Sequence, residues 1–360
     1  MKKLAAIAMV LAMTTVSLTG CGSTDAAEPA ESAPATEAAA EATSEAEEAA
    51  ETTEAATETA TEVAAADGTV YNVGICQLVQ HDALDAATKG FRDALTDKLG
   101  DSVVFDEQNA SGDSATCATI INQFVSNEVD LILANATPAL QAAAAGTNEI
   151  PILGTSITDY ATALEIDEWT GTTGTNISGT SDLAPLEEQA AMLNELFPDA
   201  KSVGLLYCSA EANSAYQVGV VQEALEALGY TCTAYTFADS NDIASVTTTA
   251  ADECDVIYVP TDNAVASNTE IINNICQPAG IPVIAGEEGI CSGCGVATLS
   301  INYYDIGYAA GEMGYEILVN GADVSTMPVE FAPQVTKKYN KDICEALGIT
   351  VPEDYVAIGE

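Results

Sequence analysis

The sequence predicts an α/β protein of two similar lobes, each a parallel sheet flanked by helices, preceded by a disordered acidic tether. Three observations carry that prediction. Nine strand-like runs alternate with amphipathic helical patterns, the signature of parallel sheets covered on both faces. Two stretches, "VDLILANATPALQAAAAGTNEIPILGTSI" (129–157) and "CDVIYVPTDNAVASNTEIINNICQPAGIPVIAGEE" (254–288), share one plan. Each has a buried strand ending in a Thr-containing polar turn, a helix, then Ile-Pro, a second strand and a polar exit. Finally, polar residues gather where the apolar runs end, the place at which open α/β sheets hold ligands.

The strand-like runs fall at 70–77, 102–109, 129–136, 150–157, 202–209, 231–238, 255–261, 281–288 and 296–303. After the first comes a helical pattern over 82–99, where Leu84, Phe91, Leu95 and Leu99 share one face. Gly/Thr-rich "GTTGTNISGTSD" (171–182) reads as a crossing between lobes, and a helix from Asp182 to Pro198 opens the second. The expected division is 68–180 plus about 303–323 for the first lobe, and 181–302 plus about 324–360 for the second.

The N-terminus predicts the compartment. Lys2 and Lys3 precede an apolar run, Leu4 to Met13, too short to span a bilayer, and small residues follow. This is a secretory signal over 1–20. "LTGC" resembles the lipobox of bacterial lipoproteins, which implies that Cys21 becomes the first residue and carries the lipid, a palmitate-type anchor. Residues 22–67 hold 13 acidic residues, no basic ones and one branched aliphatic, Val63, so they bury too little to offset ordering. We expect a solvated tether over 21–67.

From residue 68 onward seven basic residues face 42 acidic ones, a field that repels nucleic acid and other polyanions. The nine cysteines after Cys21 mostly occupy positions of small apolar residues, Cys76 and Cys208 in strand runs and Cys117 and Cys276 in helix patterns. We read them as reduced, buried thiols. "CSGC" (291–294) lacks the second pair or His of a metal site, leaving a loop disulfide or two inert thiols.

Segments such as "GICQLVQHDALDAATKGF", "QNASGDSATCATIINQFV", "IPILGTSITD", "GTSDLAPLEEQ", "YVPTDNAVAS" and "IPVIAGEEG" run in order over nearly all of 70–350. In them the chain resembles the solute-binding lipoproteins of ABC transporters whose studied members bind tryptophan and other aromatic amino acids. The resemblance implies the two-lobed type I periplasmic-binding-protein fold, a cleft that closes on ligand, and delivery to permease and ATPase subunits. It implies no enzymatic activity and no cofactor. Cys76 stands where that family is expected to have Ser, beside the cleft, and "CSGCG" replaces a Gly/Ala-rich turn.

The candidate ligand-binding residues are those at the strand ends: Gln77, His81, Asn109, Thr137, Ser156, Thr158, Asn213, Ser214, Thr261, Asp262, Asn263 and Glu287. A free amino acid needs a site for each charged group and a pocket for its side chain. Arg92, the one arginine, lies mid-helix and offers no clamp. Thr137, Ser156, Thr158, Asn213 and Ser214 suit a carboxylate near helix N-termini, or simply cap those helices. Asp262 and Glu287 or Glu288 suit the ammonium, with capping the alternative for Asp262. His81 reads equally as a surface helix start. Tyr207 and Tyr216 either stack on a ligand or belong to the core, and Trp169 receives no role. A nucleoside-binding lipoprotein or a sensor ectodomain of the same fold is the competing reading. An enzyme is disfavoured, because the single His81 sits in no nucleophile motif.

Overall fold

The structure, a computed structural model, describes residues 68–359. The expected signal segment, Cys21 and the tether lie outside the described residues. The first half of the chain forms β1 (Tyr71–Gln77), α1 (Asp82–Leu99), β2 (Val103–Asn109), α2 (Ser114–Ser126), β3 (Leu131–Asn135), α3 (Thr137–Gly146), β4 (Ile152–Ile157), α4 (Tyr160–Ala163) and β5 (Ile177–Ser181). The second half continues with α5 (Leu186–Leu196), β6 (Ser202–Cys208), α6 (Ala212–Ala227), β7 (Thr231–Phe237), α7 (Ile243–Glu253), β8 (Val256–Val259), α8 (Asn263–Ala266), α9 (Thr269–Ala279), β9 (Val283–Ala285), α10 (Glu288–Cys294) and β10 (Ala297–Ser300). Then come α11 (Tyr303–Leu318), β11 (Glu330–Phe331), β12 (Thr336–Tyr339), α12 (Lys341–Leu347) and β13 (Val356–Ala357).

Two sheets result. The first runs β11-β5-β4-β3-β1-β2 and is parallel throughout. The second runs β13-β12-β10-β9-β8-β6-β7, with only the β10–β12 pair antiparallel. Central strands β3, β4 and β8 are buried along their whole lengths, and β3 and β8 accordingly read as nearly continuous apolar runs. Edge strands β2 and β7 are exposed or half-buried at most positions.

Alternation along β1 separates two core layers. Val73 and Ile75 pack with Phe91 and Leu95 of α1 and with Ala310 and Met313 of α11. Cys76 points the other way, into a layer with Cys117, Phe124 and Leu140. It is fully buried there rather than beside the cleft, as the sequence had suggested, because successive strand residues face opposite sides. All nine cysteines among the described residues are free. Cys291 and Cys294 lie one turn apart inside α10, not in a loop, and both are buried.

Helix α11 follows a strand of the second sheet yet packs on α1 of the first lobe. Glycines allow the close crossing: a Cβ on Gly90 would lie 2.1 Å from the Tyr304 carbonyl, and one on Gly307 2.0 Å from that of Ala87. The chain crosses between lobes at 182–185, 301–302 and 332–335.

Two sequence boundaries are corrected. The segment read only as a crossing contains β5, whose "ISGTS" is wholly buried but carries a glycine and three hydroxyls instead of an apolar run. Residues 324–331 were expected in the second lobe. Instead Glu330 and Phe331 pair with Thr180 and Ser181 of β5, and Ser178 Oγ donates to the carbonyls of Met327 and Pro328. That strand is two residues long with both side chains exposed, so no pattern marked it.

Candidate functional site

The carboxyl ends of both sheets face the same seam. In the first lobe β3, β4 and β5 end side by side, because Asn135 pairs with Thr155 and Ile157 with Ser181. Their exits carry Thr137, then Ser156 and Thr158, then Asp182. Two of these exits are strained: Ala136 has φ of 88° and Ser156 has φ of 57°, positions that cost about 1–3 kcal/mol each and cluster at functional sites. Ala136 is the N-cap of α3 and, lacking a polar side chain, leaves that helix start without a side-chain cap. Ser156 is 6% exposed and its hydroxyl has no partner within the protein.

Asp182, 3% exposed, begins the first crossing. Its Oδ2 accepts a 2.8 Å hydrogen bond from the Tyr303 hydroxyl, while its Oδ1 has no protein donor. Burial raises its carboxyl above the usual range, while the Tyr303 hydrogen bond and the nearby Thr158 hydroxyl act in the opposite direction.

In the second lobe the strand-end carboxylates serve the backbone. Asp262, 1% exposed, caps α8 through Val265 N–H (2.9 Å) and holds β6 and α6 through Cys208 N–H (2.7 Å) and Ser214 Oγ (2.8 Å). The capping alternative is therefore the one its hydrogen bonds realise. Glu211 accepts from the Asn263 and Ala264 amides at 3.1 and 2.9 Å and from Asn263 Nδ2 at 2.6 Å. Burial first, then the neighbouring Asp262, pushes its carboxyl up to about 8. Glu287 caps α10 through the amides of Gly289 and Ile290, at 2.6 and 2.5 Å, and burial pushes it up to about 7. Its neighbour Glu288 accepts instead from Lys338 and Ser300.

The lobes touch across the seam. His81 Nε2 lies 3.2 Å from Asn263 Oδ1, and Gln217 Nε2 donates to Thr158 Oγ1 at 3.5 Å. Gln217 also accepts from Thr261 N–H at 3.1 Å, and the Thr261 hydroxyl reaches Tyr303. Burial lowers the His81 pKa, so the neutral ring that can meet Asn263 is favoured. Beside the crossings a cavity of about 790 Å³ opens, bounded by Ala83 of α1, Glu287 and Ser292 on the second lobe, and Tyr303, Tyr304 and Gln334. It adjoins the seam through Glu287 and Tyr303.

The structure thus gathers Thr137, Ser156, Thr158, Asn213, Thr261, Asp262, Asn263, Glu287 and His81 around one seam, and assigns others to the scaffold. Gln77 is spent on Val79 O, Asp85 and Thr88 within the first lobe. Asn109 is exposed at the end of the edge strand and accepts from Ser111 N–H in a local turn. Ser214 holds Asp262. Arg92 pairs with Glu107, Tyr207 and Tyr216 pack against the second core, and Trp169 stacks on Tyr160 at 6.3 Å. Sequence reasoning missed Asp182, Gln217 and Tyr303. Gln217 had a signal: it lies four residues after Asn213 and three after Ser214, so α6 carries a polar stripe on a buried face.

Comparison with known proteins agrees with this geometry. The profile of the family described as ABC transporter substrate binding protein matches residues 72–358. The tyrosine-binding protein of Clostridioides difficile (strain R20291) is 37% identical over 279 residues, 77% of this chain and 80% of the relative. Among solved structures, an ABC domain in complex with L-Trp from Streptococcus pneumonia is 33% identical with a TM-score of 0.76, covering 79% of this chain and 97% of that one. A ligand-free, open substrate binding protein with adhesive properties from Clostridium difficile is 38% identical with a TM-score of 0.61, covering 80% and 99%. Sheet order, seam and sequence together make this chain a member of the ABC transporter substrate-binding protein family, with the type I periplasmic-binding-protein fold.

Proposed function

We propose that the protein is a lipid-anchored receptor that captures an aromatic amino acid between its lobes and delivers it to a permease and ATPase pair. In this reading the signal 1–20 is removed, Cys21 carries the lipid, and residues 21–67 tether the binding unit to the extracytoplasmic face of the membrane. The observation that carries the reading is the set of buried polar atoms left without protein partners at the seam: Ser156 Oγ, Asp182 Oδ1 and Asn213 Oδ1. Buried polar groups are nearly always paired, and a small polar ligand supplies the missing partners.

Two further points support it. The fold overlaps better with the L-Trp complex (TM-score 0.76) than with the open, ligand-free relative (0.61), although identity to the latter is higher. A closed arrangement with contacts such as His81 to Asn263 is what a ligand touching both lobes stabilises. Thr137, Ser156, Thr158, Asn213 and Thr261 would then contact the ligand's polar groups, while Asp262 and Ser214 hold the second lobe in shape.

A thermal-shift panel of the twenty amino acids, nucleosides and sugars tests the proposal. Tryptophan, tyrosine or phenylalanine should raise the unfolding midpoint by several degrees, since ligand at 100 Kd adds about 2.7 kcal/mol. A response confined to nucleosides would overturn the assignment of ligand class.

A further inference from the structure

We propose that Asp182 receives the ligand's ammonium group and that Tyr303 and Thr158 position it. The inference deepens the zwitterion reading and rests on it. Four carboxylates are buried at the strand ends: Asp182, Glu211, Asp262 and Glu287. Three are engaged by helix starts. Asp262 accepts from Cys208 N–H, Ser214 Oγ and Val265 N–H; Glu211 from the Asn263 and Ala264 amides; Glu287 from those of Gly289 and Ile290. Each has a protein donor on both oxygens.

Asp182 differs in kind. It caps no helix, it receives a protein hydrogen bond on Oδ2 from Tyr303, and Oδ1 is buried without a donor. No lysine or arginine among the described residues forms an ion pair with it. A carboxylate buried without a counter-charge is costly, and a cationic donor brought by a ligand satisfies both the charge and the orphan oxygen.

Position fits an α-amino acid. The pairing of Ile157 with Ser181 sets Thr158 beside Asp182, and the unpartnered Ser156 hydroxyl lies two residues back along that row. Thr137, at the uncapped start of α3, stands at the next strand end. Neighbouring strands are roughly 5 Å apart, the scale on which one α-amino acid presents its ammonium and carboxylate to two receivers. The anion end of the row has hydroxyls and helix amides, and the cation end has the carboxylate.

The test compares L-tryptophan with indole-3-propionate, which lacks only the amino group, by titration calorimetry on the full protein. Wild type should prefer L-tryptophan by roughly 100-fold, the scale of one buried charge pair. Asp182→Asn should lose most of that factor for L-tryptophan while leaving indole-3-propionate nearly unchanged, so the two affinities converge. The ligand-free variant should unfold at the wild-type temperature or above, because an amide of the same shape replaces a buried charge. An Asp182→Asn protein that keeps the full preference overturns the proposal. If that variant does not fold, Tyr303→Phe serves instead: a preference reduced about tenfold supports the assignment, and an unchanged preference overturns it. A wild-type protein that binds neither tryptophan nor tyrosine overturns the zwitterion reading, and this inference with it.

Discussion

Asp262→Ala separates the two roles that a buried carboxylate can have at this seam. The substitution removes the acceptor for Val265 N–H, which ends the cap of α8, and the acceptors for Cys208 N–H and Ser214 Oγ, which join that turn to β6 and α6. Loss of an N-cap costs roughly 1 kcal/mol. Each buried donor left unsatisfied costs about 1–3 kcal/mol, partly relieved where water enters the vacated space. Removing a carboxylate that burial disfavours returns a fraction of this. The net expectation is a loss of about 3 kcal/mol, or roughly 6 °C in unfolding midpoint for a chain of this size. Thermal unfolding without ligand measures the first quantity, and calorimetry at a temperature where the variant is folded measures the second. Affinity for the proposed aromatic ligand should stay within about threefold of wild type, because none of Asp262's bonds is released for a ligand. An unchanged midpoint with affinity lost more than tenfold would refute the reasoning and return Asp262 to the ligand.

His81→Ala removes the contact with Asn263 that bridges the lobes. A hydrogen bond worth about 1 kcal/mol biases closure about fivefold, so affinity should fall by about that factor and the ligand-free radius of gyration by X-ray scattering should rise. An unchanged scattering curve and affinity would remove His81 from the closure contact. Glu287 and Glu211 together predict a pH dependence: their folded pKa values of about 7 and about 8 lie above the ordinary 4.5, so the folded state holds protons that the unfolded state releases between these values. Stability is therefore fullest below pH 4.5 as far as these groups are concerned and declines as pH rises through 7 to 8. Surface charge repulsion has the same sign, so the midpoint should be followed in about 0.5 M salt, where exposed charges are screened and buried groups are not. A midpoint that is flat between pH 5 and 7.5 in that salt would contradict the shift.

The fold was legible because its central strands are buried on both faces and its helices keep an apolar stripe; α1 begins and ends where Leu84, Phe91, Leu95 and Leu99 placed it. What failed to show were elements without an apolar run, β5 with its glycine and hydroxyls and β11 with two exposed residues. The site was legible as a place and not as a set of roles, and the reason is physical. A helix start and an anion both call for a polar group at a strand end, so Thr-Asp-Asn before α8 and Ser-Asp after β5 look alike in a sequence. The difference between them lies in long-range partners. Asp262 finds Cys208 and Ser214 about fifty residues away, and those bonds occupy it. Asp182 finds Tyr303, 121 residues away, whose single hydroxyl leaves an oxygen over. Local pattern cannot count donors that arrive from far along the chain. A carboxylate's availability for a ligand is thus a property of topology: the strand ends fix where a charge stands, and the crossings at 182–185 and 301–302 decide whether it is already spent.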